Sequence, residues 1–465
     1  QVYQNDLGIS LELVANNDLI VFTIPATDPF NNDDDDGDLN ENVIDNAIGF
    51  DAYDIGHVVT TGAGGWAVLG GVCGSFKAYG ITGLSNPTGD PFYIDYVAHE
   101  IGHQFGASHT FNASNGACSN RSSSHAYEPG SGSTIMSYAG ICGAQNLQNH
   151  SDAYFHAHSL DQINNYLSTT SCGQSVQDIN EIPQVDAGSD FNVPANTPLL
   201  LTGSATDVDN DDLSYTWEQF DLGEASTSKE EMQDDGNRPL FRTIKPGNNS
   251  FRFLPKLESI LSATSSIGET YATTTRELNF RLTVRDNRGG VASDNMVFNV
   301  TEDAGPFIVN SPNANDLWEG SATDMWQVSW DVANTNSAPI SCTDVDILLS
   351  DDGGESFNLL LLTTVNDGEE NVATPNVSTE RARIQVKCSN NAFFNISSGD
   401  FSIVYTNQIP TITGQNPLAI AEDTQHTISI SDLVYQDPDN TAEQLKLELT
   451  AGENFQLNGN TVIPN

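Results

Sequence analysis

The sequence predicts a multidomain chain: one α/β domain at the N-terminus, followed by all-β sandwich domains. Three observations carry this. A histidine-rich stretch near residue 100 has helical spacing and is preceded by short strand-like segments. From residue 184 onward the pattern changes to alternating apolar and polar residues punctuated by Gly, Pro, Asn and Asp, with little of helical period. The length, 465 residues, suits about three or four domains. The boundaries read as 1–173 for the first domain, 174–183 for a polar linker ending in Pro183, 184–303 and 304–408 for two sandwiches, and 409–465 for the start of another β module.

Within 1–173, Ile9–Val14 and Leu19–Ile24 alternate and are expected to be strands around an Asn16-Asn17-Asp18 turn. Asn31 through Asp38 is a run of acids and amides without EF-hand spacing, read as a solvated loop, with calcium as the weaker alternative. Val43–Ile48 reads as a helix start and Ile55–Thr60 as a strand, in which His57 is structural. Gly64-Gly65-Trp66-Ala67-Val68-Leu69-Gly70-Gly71 is a short strand bracketed by glycines, which lets another backbone approach closely. Asp90-Pro91 opens a helix, with Asp90 as cap candidate, and Ile94, Val97, Ile101 and Phe105 mark its buried stripe. After a loop-rich stretch to Ser133, Leu160, Ile163 and Leu167 define a last amphipathic helix.

The segment His99-Glu100-Ile101-Gly102-His103-Gln104-Phe105-Gly106-Ala107-Ser108-His109 organises this domain. His99 and His103 are four apart, so their imidazoles share one helix face. A straight helix offers no third ligand from the far side of a shared ion. Gly106 can take φ > 0, end the helix and let the chain bring His109 back. Three nitrogens with one open position is the ligand set of a catalytic zinc. Glu100 follows the first ligand and is placed to act as general base on a bound water. His125, His150, His156 and His158 lack ligand spacing and are read as surface groups or neighbours of the ligands.

The motif H-E-x-x-H-x-x-G-x-x-H resembles that of the metzincin metalloproteases, and Thr134-Ile135-Met136-Ser137-Tyr138-Ala139-Gly140 resembles their Met-turn. The resemblance implies a metzincin-type catalytic domain in which Met136 lies beneath the histidines as an apolar base. Tyr138 matches the metal-swinging tyrosine of astacin-like and serralysin-like members; a packing tyrosine is the equal alternative. Similarity to the disintegrin-type (adamalysin or reprolysin) branch covers about residues 60–173. It implies that Trp66, Ala67, Val68 and Leu69 form the edge strand on which peptide substrate pairs, and that about 138–156 forms a specificity-pocket wall. The four cysteines of this domain allow three pairings. The resemblance implies Cys73–Cys172 and Cys118–Cys142. The sequence departs from that branch at Thr110, where Asp is usual, and at Tyr138. The likeness is greatest to secreted bacterial metalloproteases of the reprolysin-like group, and it implies a first strand and helix that are not found before Gln1.

Net charge narrows the partners. At −47 overall, with Lys77 and Arg121 the only lysine or arginine in residues 1–173, the chain repels nucleic acid and anionic membranes. No apolar run is long enough to span a bilayer, so membrane insertion is not expected. Six well-spaced cysteines without a C-x-x-C pair point to three disulfides and an extracellular location. The chain lacks an initiator Met and stops in a strand-like stretch, and it reads as a fragment of a longer secreted precursor.

In the tail, Asn192–Pro194, Leu199–Gly203, Leu213–Glu218, Leu278–Val284 and Met296–Val300 read as strands of an immunoglobulin-like sandwich with Trp217 in its core. It resembles the polycystic-kidney-disease-like and cadherin-like modules of bacterial exoenzymes. Asp207, Asp209 and Asp211 are calcium candidates by that resemblance, a plain acidic turn being equally expected. In 304–408, Trp326 and Trp330 fall on one side of a strand, and Cys342 and Cys388 are expected to bridge two strands. A cadherin-like module with Leu433-Val-Tyr-Gln-Asp-Pro-Asp follows.

The expected function is that of a secreted zinc endopeptidase cutting extracellular proteins or peptides. The alternative is an extracellular adhesion or matrix-binding protein, whose β modules hold a polymer or matrix surface while the protease module is secondary. A zinc amidase for non-peptide amides is a third reading.

Overall fold

The computed structural model describes every residue except 63, 176–179, 420, 422–423, 454 and 465, so part of the expected linker lies outside the described residues. The chain divides into two compact units: residues 1–307 with 333–341 and 391–394, and residues 308–332, 342–390 and 395–465. Cys73–Cys172, Cys118–Cys142 and Cys342–Cys388 are disulfides. Among the described residues no helix is long and apolar enough to cross a membrane.

The first unit begins with α1 (Val2–Leu7), which the sequence reading missed. Its Tyr3 is buried, stacks near Phe105 and Phe155, and donates from its hydroxyl to Ala98 O at 2.7 Å. Residues 9–14 and 19–24 are not strands; the only regular element there is a 3-10 turn at Asn17–Ile20. Alternation alone does not make a ladder. No neighbouring strand pairs with this segment, and Leu11, Leu13, Val21 and Ile24 stay exposed. The helix expected from Val43 is α2 (Asp36–Ala47). Buried Asp36 organises the acidic run before it by accepting the main-chain N–H groups of Asn31, Asn32 and Asp33.

Strands β1 (Val58–Thr60), β2 (Gly64–Ala67) and β3 (Gly80–Gly83) form a sheet in the order β1-β3-β2. β1 is parallel to β3 and β2 is antiparallel to it, which leaves β2 at an edge. Trp66 of β2 donates to Asp34 O, and the Gly37 Cα lies so close to its ring that a Cβ there would sit 2.5 Å from it. His57 is structural, held by Gln104 Oε1 at 2.9 Å and Thr82 Oγ1 at 2.7 Å.

The histidine-bearing segment is α3 (Asp90–Phe92), a π-type stretch Tyr93–Ala98, and α4 (His99–Gln104). Asp90 is the first helical residue, not the cap; Gly89, at φ 84°, holds that place. α5 (Ala157–Leu167) closes the region, and its Leu160 and Ile163 pack with Phe105, Ile135, Met136 and Phe155 in one core.

The first sandwich follows in the same unit. Its strands are β4 (Gln184–Asp186), β5 (Phe191–Pro194), β6 (Leu199–Thr202), β7 (Ser204–Thr206), β8 (Ser214–Gln219), β9 (Phe251–Leu254), β10 (Arg276–Arg285) and β11 (Val291–Thr301). The main sheet runs β5-β11-β10-β8, with β4-β7 and β6-β9 as pairs. Trp217 is buried in its core.

A buried polar seam joins this sandwich to residues 1–173. Arg285 donates to Asp6 Oδ1 at 3.0 Å, to Phe155 O at 2.8 Å and to Thr216 Oγ1 at 3.4 Å. Asp6 Oδ2 accepts from Phe155 N at 2.8 Å, and Glu218 Oε1 accepts from Ala157 N at 3.0 Å. Arg281 pairs with Asp161 at 2.6 Å and lies over the Phe220 ring. Arg285, Asp6 and Glu218 are removed from water and hold their geometry because each is answered by a partner, whereas Asp161 is exposed.

In the second unit, strands Ile308–Ser311, Met325–Asp331 and Glu369–Ala373 form one sheet. Asp344–Ser350 pairs antiparallel with both Leu359–Val365 and Thr379–Cys388. Trp326, Val328 and Trp330 share a face, and Trp318 stacks on Trp326, so these tryptophans serve packing. From residue 411 the strands are short, and Ile412 and Val434 are exposed.

Candidate active site

The three motif histidines converge. Their ring nitrogens lie within 4.8 Å of one another, and His103 Nε2 is 3.1 Å from His109 Nε2. Two local features make this happen. α4 sets His99 and His103 one turn apart. Gly106, at φ 94°, ends the helix, and Ala107 N donates back to Gly102 O at 2.9 Å.

Main-chain carbonyls fix two of the three rings. His99 Nδ1 faces Ile135 O at 2.7 Å, and His103 Nδ1 faces Ala107 O at 2.7 Å. His109 lines the same cleft as Asn120 and Tyr138. A carbonyl can only accept, so the outward nitrogens of His99 and His103 carry the proton and their inward ones present bare lone pairs. Burial pushes the pKa of all three rings down, His109 to about 3, which keeps them neutral. Lone pairs aimed at one point repel. His99 Nε2 is buried without any partner. A cation at that point answers all three, and the backbone-oriented ring is the usual setting of a metal-bound histidine. The cluster therefore fits a metal ion.

Met136 is fully buried beneath the helix; a Cβ at Gly102 would sit 2.5 Å from its sulfur. The main chain of Ile135 and Met136 also holds this region, through Ile135 O to His99 and through Met136 O, which accepts from Thr110 N. Thr110 Oγ1 donates to Glu128 Oε1 at 2.6 Å. Glu128 is buried and also accepts from Ser133 N, Ser133 Oγ, Thr134 N and Thr134 Oγ1, so it locks the segment after His109 onto the turn before Met136. Glu128 went unseen in the sequence, because nothing within a helical turn of it marks these partners.

Glu100 reaches the cleft. Its Oε2 is buried and unpartnered, and burial pushes its carboxyl up to about 8. A Cβ on Gly65 would stand 2.7 Å from Glu100 Oε1, so only glycine lets edge strand β2 pass so close to the carboxylate. The cleft, about 370 Å³, is lined by β2 residues Gly65, Trp66 and Ala67, then Leu69, Glu100, His103, His109, Asn120 and Tyr138 among others. Val68 lines none of it and packs toward Gly71. Of the segment 138–156, Tyr138 alone lines the cleft; Asn120, hydrogen-bonded to it, and Ser122 line it as well.

Tyr138 stacks on Phe111 and lies 4.5 Å, centroid to centroid, from His109. Its hydroxyl accepts from Asn120 Nδ2 at 3.2 Å. His125 and His158 hydrogen-bond each other, His150 pairs with Asp95, and His156 is wholly buried as the cap of α5 rather than on the surface. Asp207, Asp209 and Asp211 do cluster closely enough to hold a cation.

Three convergent histidines beside a buried carboxylate form a cluster that could hold a metal ion. Residues 1–165 match the family described as "Metallo-peptidase family M12B Reprolysin-like", which makes this region similar to metallopeptidases of that family. No curated protein matches the chain. Similar solved structures include the tandem Ig repeats of Dlar, at 10% identity and TM-score 0.25, covering 48% of this chain and 97% of that one. The Ig1-2 module of the Drosophila receptor protein tyrosine phosphatase DLAR gives 8%, 0.26, 49% and 100%, and the Clostridium thermocellum CbhA fibronectin(III)-like modules give 9%, 0.17, 48% and 95%.

Proposed function

We propose that the chain is a secreted zinc endopeptidase whose metal is held by His99, His103 and His109. The observation that carries this is the convergence of three imidazoles, two of them oriented by carbonyls, beside the unpartnered Oε2 of Glu100. A zinc ion held by His99, His103 and His109 would supply a Lewis acid and a water that ionises near neutral pH. Glu100 takes the proton of that water on its free oxygen and returns it to the leaving amine. Tyr138, whose oxygen already accepts from Asn120, keeps its own proton free to donate to the developing oxyanion.

The outer edge of β2 favours peptide over other amides. β2 pairs with β3 on one side only, and its residues line the cleft next to Glu100. An extended peptide adds there as a further strand, held by main-chain bonds. Lys77 and Arg121 are the sole lysine and arginine of residues 1–173, so basic or neutral substrates approach more readily than acidic ones. Asp207, Asp209 and Asp211 are proposed as a calcium site of the first sandwich, and three disulfides support an extracellular setting.

The test is hydrolysis of casein and a quenched peptide library by the full chain, with and without a chelator. Glu100→Gln is expected to keep stoichiometric zinc and lose about 10²–10⁴-fold in kcat. Chelator-insensitive cleavage, or full activity in Glu100→Gln, refutes the assignment.

A further inference from the structure

One of the three histidines stands outside the helix that sets the other two. His99 and His103 belong to α4, and the carbonyls of Ile135 and Ala107 face their Nδ1 atoms. His109 lies past the end of that helix, so its place depends on what holds the residues on either side of it. Ser108 N donates to Gln162 Oε1 of α5 at 2.9 Å, and Thr110 N donates to Met136 O at 3.1 Å. Thr110 also carries a hydroxyl, which donates to Glu128 Oε1 at 2.6 Å.

Glu128 joins two separate stretches of chain. Its main chain runs beside residues 110–112: its N donates to Thr110 O at 2.9 Å, and its O accepts from Asn112 N at 2.8 Å. Its side chain reaches across to the other stretch. Oε1 accepts from the hydroxyls of Thr110 and Thr134, and Oε2 accepts from Ser133 N at 2.7 Å and Thr134 N at 3.2 Å. Ile135 comes next, and its carbonyl is the one that faces His99. A single carboxylate therefore ties the neighbour of His109 to the stretch that orients His99. Thr110, Glu128, Ser133 and Thr134 are all fully buried, so bulk water offers no substitute for a lost bond. An apolar side chain would fill this space without the desolvation cost of a carboxylate. What it lacks is acceptors for two main-chain N–H groups and two hydroxyls at once.

We infer that Glu128 is a positioning residue for the metal centre: through the Thr110 hydroxyl it fixes His109 relative to His99, so that a helix and the chain beyond it present one ligand set. The inference rests on the metal-site reading above. It concerns ligand placement, which metal affinity and the visible spectrum of a cobalt(II) derivative report without any peptide. Groups one step out from the ligands typically set metal affinity by about 10–100-fold.

The experiment uses the full chain, with zinc affinity read by competition against a chromogenic chelator and ligand geometry read from the d–d absorption of the cobalt(II)-loaded protein. Glu128→Ala is expected to weaken zinc binding about 10–100-fold and to shift the cobalt bands. Thr110→Val keeps the shape of the side chain and the N–H bond to Met136 O, and removes only the hydroxyl that reaches Glu128. It is expected to weaken zinc binding about tenfold with the same kind of spectral shift, and it decides the matter if Glu128→Ala does not fold. Glu128→Gln is the conservative variant: its amide oxygen can still accept from Ser133 N and Thr134 N, and the two threonine hydroxyls can turn to accept from its NH₂. It is expected to recover most of the affinity and the parent spectrum. Gly203→Ala is the control: its Cβ would press on Leu282 and Trp217 in the sandwich core, and it should leave zinc affinity unchanged. Zinc affinity within about twofold of the parent in Thr110→Val, or an unshifted cobalt spectrum there, overturns the inference. So does an equal loss in Gly203→Ala, which would make general stability the cause. A parent that binds zinc but cuts no peptide refutes the peptidase reading and leaves the affinity comparison standing; a parent that binds no zinc refutes both.

Discussion

Replacing Arg285 by methionine tests whether residues 1–173 and the first sandwich fold as one. The guanidinium is almost fully buried and serves Asp6, Phe155 and Thr216 at once. Arg285→Met leaves the Asp6 carboxylate in the interior with one N–H donor, that of Phe155. Removing one partner of a buried ion pair costs about 3–5 kcal/mol, because the other charge stays desolvated. Asp6→Asn in the same chain removes that stranded charge, so the double variant should regain about half of the loss or more. Urea titration gives the free energies, and hydrogen exchange followed by mass spectrometry reads residues 1–173 and 184–303 separately. Both regions should lose protection together in Arg285→Met. A loss below about 1 kcal/mol, or one confined to the sandwich, would refute the claim that the seam makes one cooperative body.

Three further outcomes are expected. Gly106→Ala places a Cβ at φ 94° and 3.1 Å from Tyr166 Cβ, and should cost about 1–3 kcal/mol and weaken zinc binding, checked by denaturation and chelator competition. Gly65→Ala drives a methyl to 2.7 Å from Glu100 Oε1 and should lower kcat at least about tenfold while zinc affinity stays within twofold, read by steady-state kinetics and chelator competition. His156 is fully buried, and burial holds its pKa near 4, below the ordinary 6.5. The unfolded chain therefore binds a proton first, and stability present above pH 6.5 falls as pH drops toward 4, by up to about 3 kcal/mol from this group. His156→Asn keeps an acceptor for His158 N and should flatten that slope in pH-dependent melting.

What could be read from the chain was local in sequence. The i, i+4 histidines and the helix-ending Gly106 need only helical geometry and a residue without Cβ, and these sit within eleven residues; the turn at Met136 was marked by family resemblance alone. Alternation identified the strands at 191–194, 199–202, 214–219 and 276–285, where partners exist to form a ladder. The same signal failed at 9–14 and 19–24, because periodicity carries no information about a partner. The groups that fix the site from outside were not legible. Glu128 meets Thr110 from 18 residues away, Arg121 meets Gly223 across 102, and Arg285 meets Asp6 across 279. Each is a single polar residue, and only the tertiary fold brings its acceptors or donors to it.

The placement of two side chains, Lys77 and Arg121, has a practical result. Proteases that cut after basic residues have just two sites in the first 173 residues. One has its ammonium capped by carbonyls in the interior, and the other has its guanidinium drawn onto Gly223. The folded N-terminal region should therefore withstand trypsin-like digestion for as long as Arg121 stays bonded to Gly223, and a first nick at Arg121 would report its release.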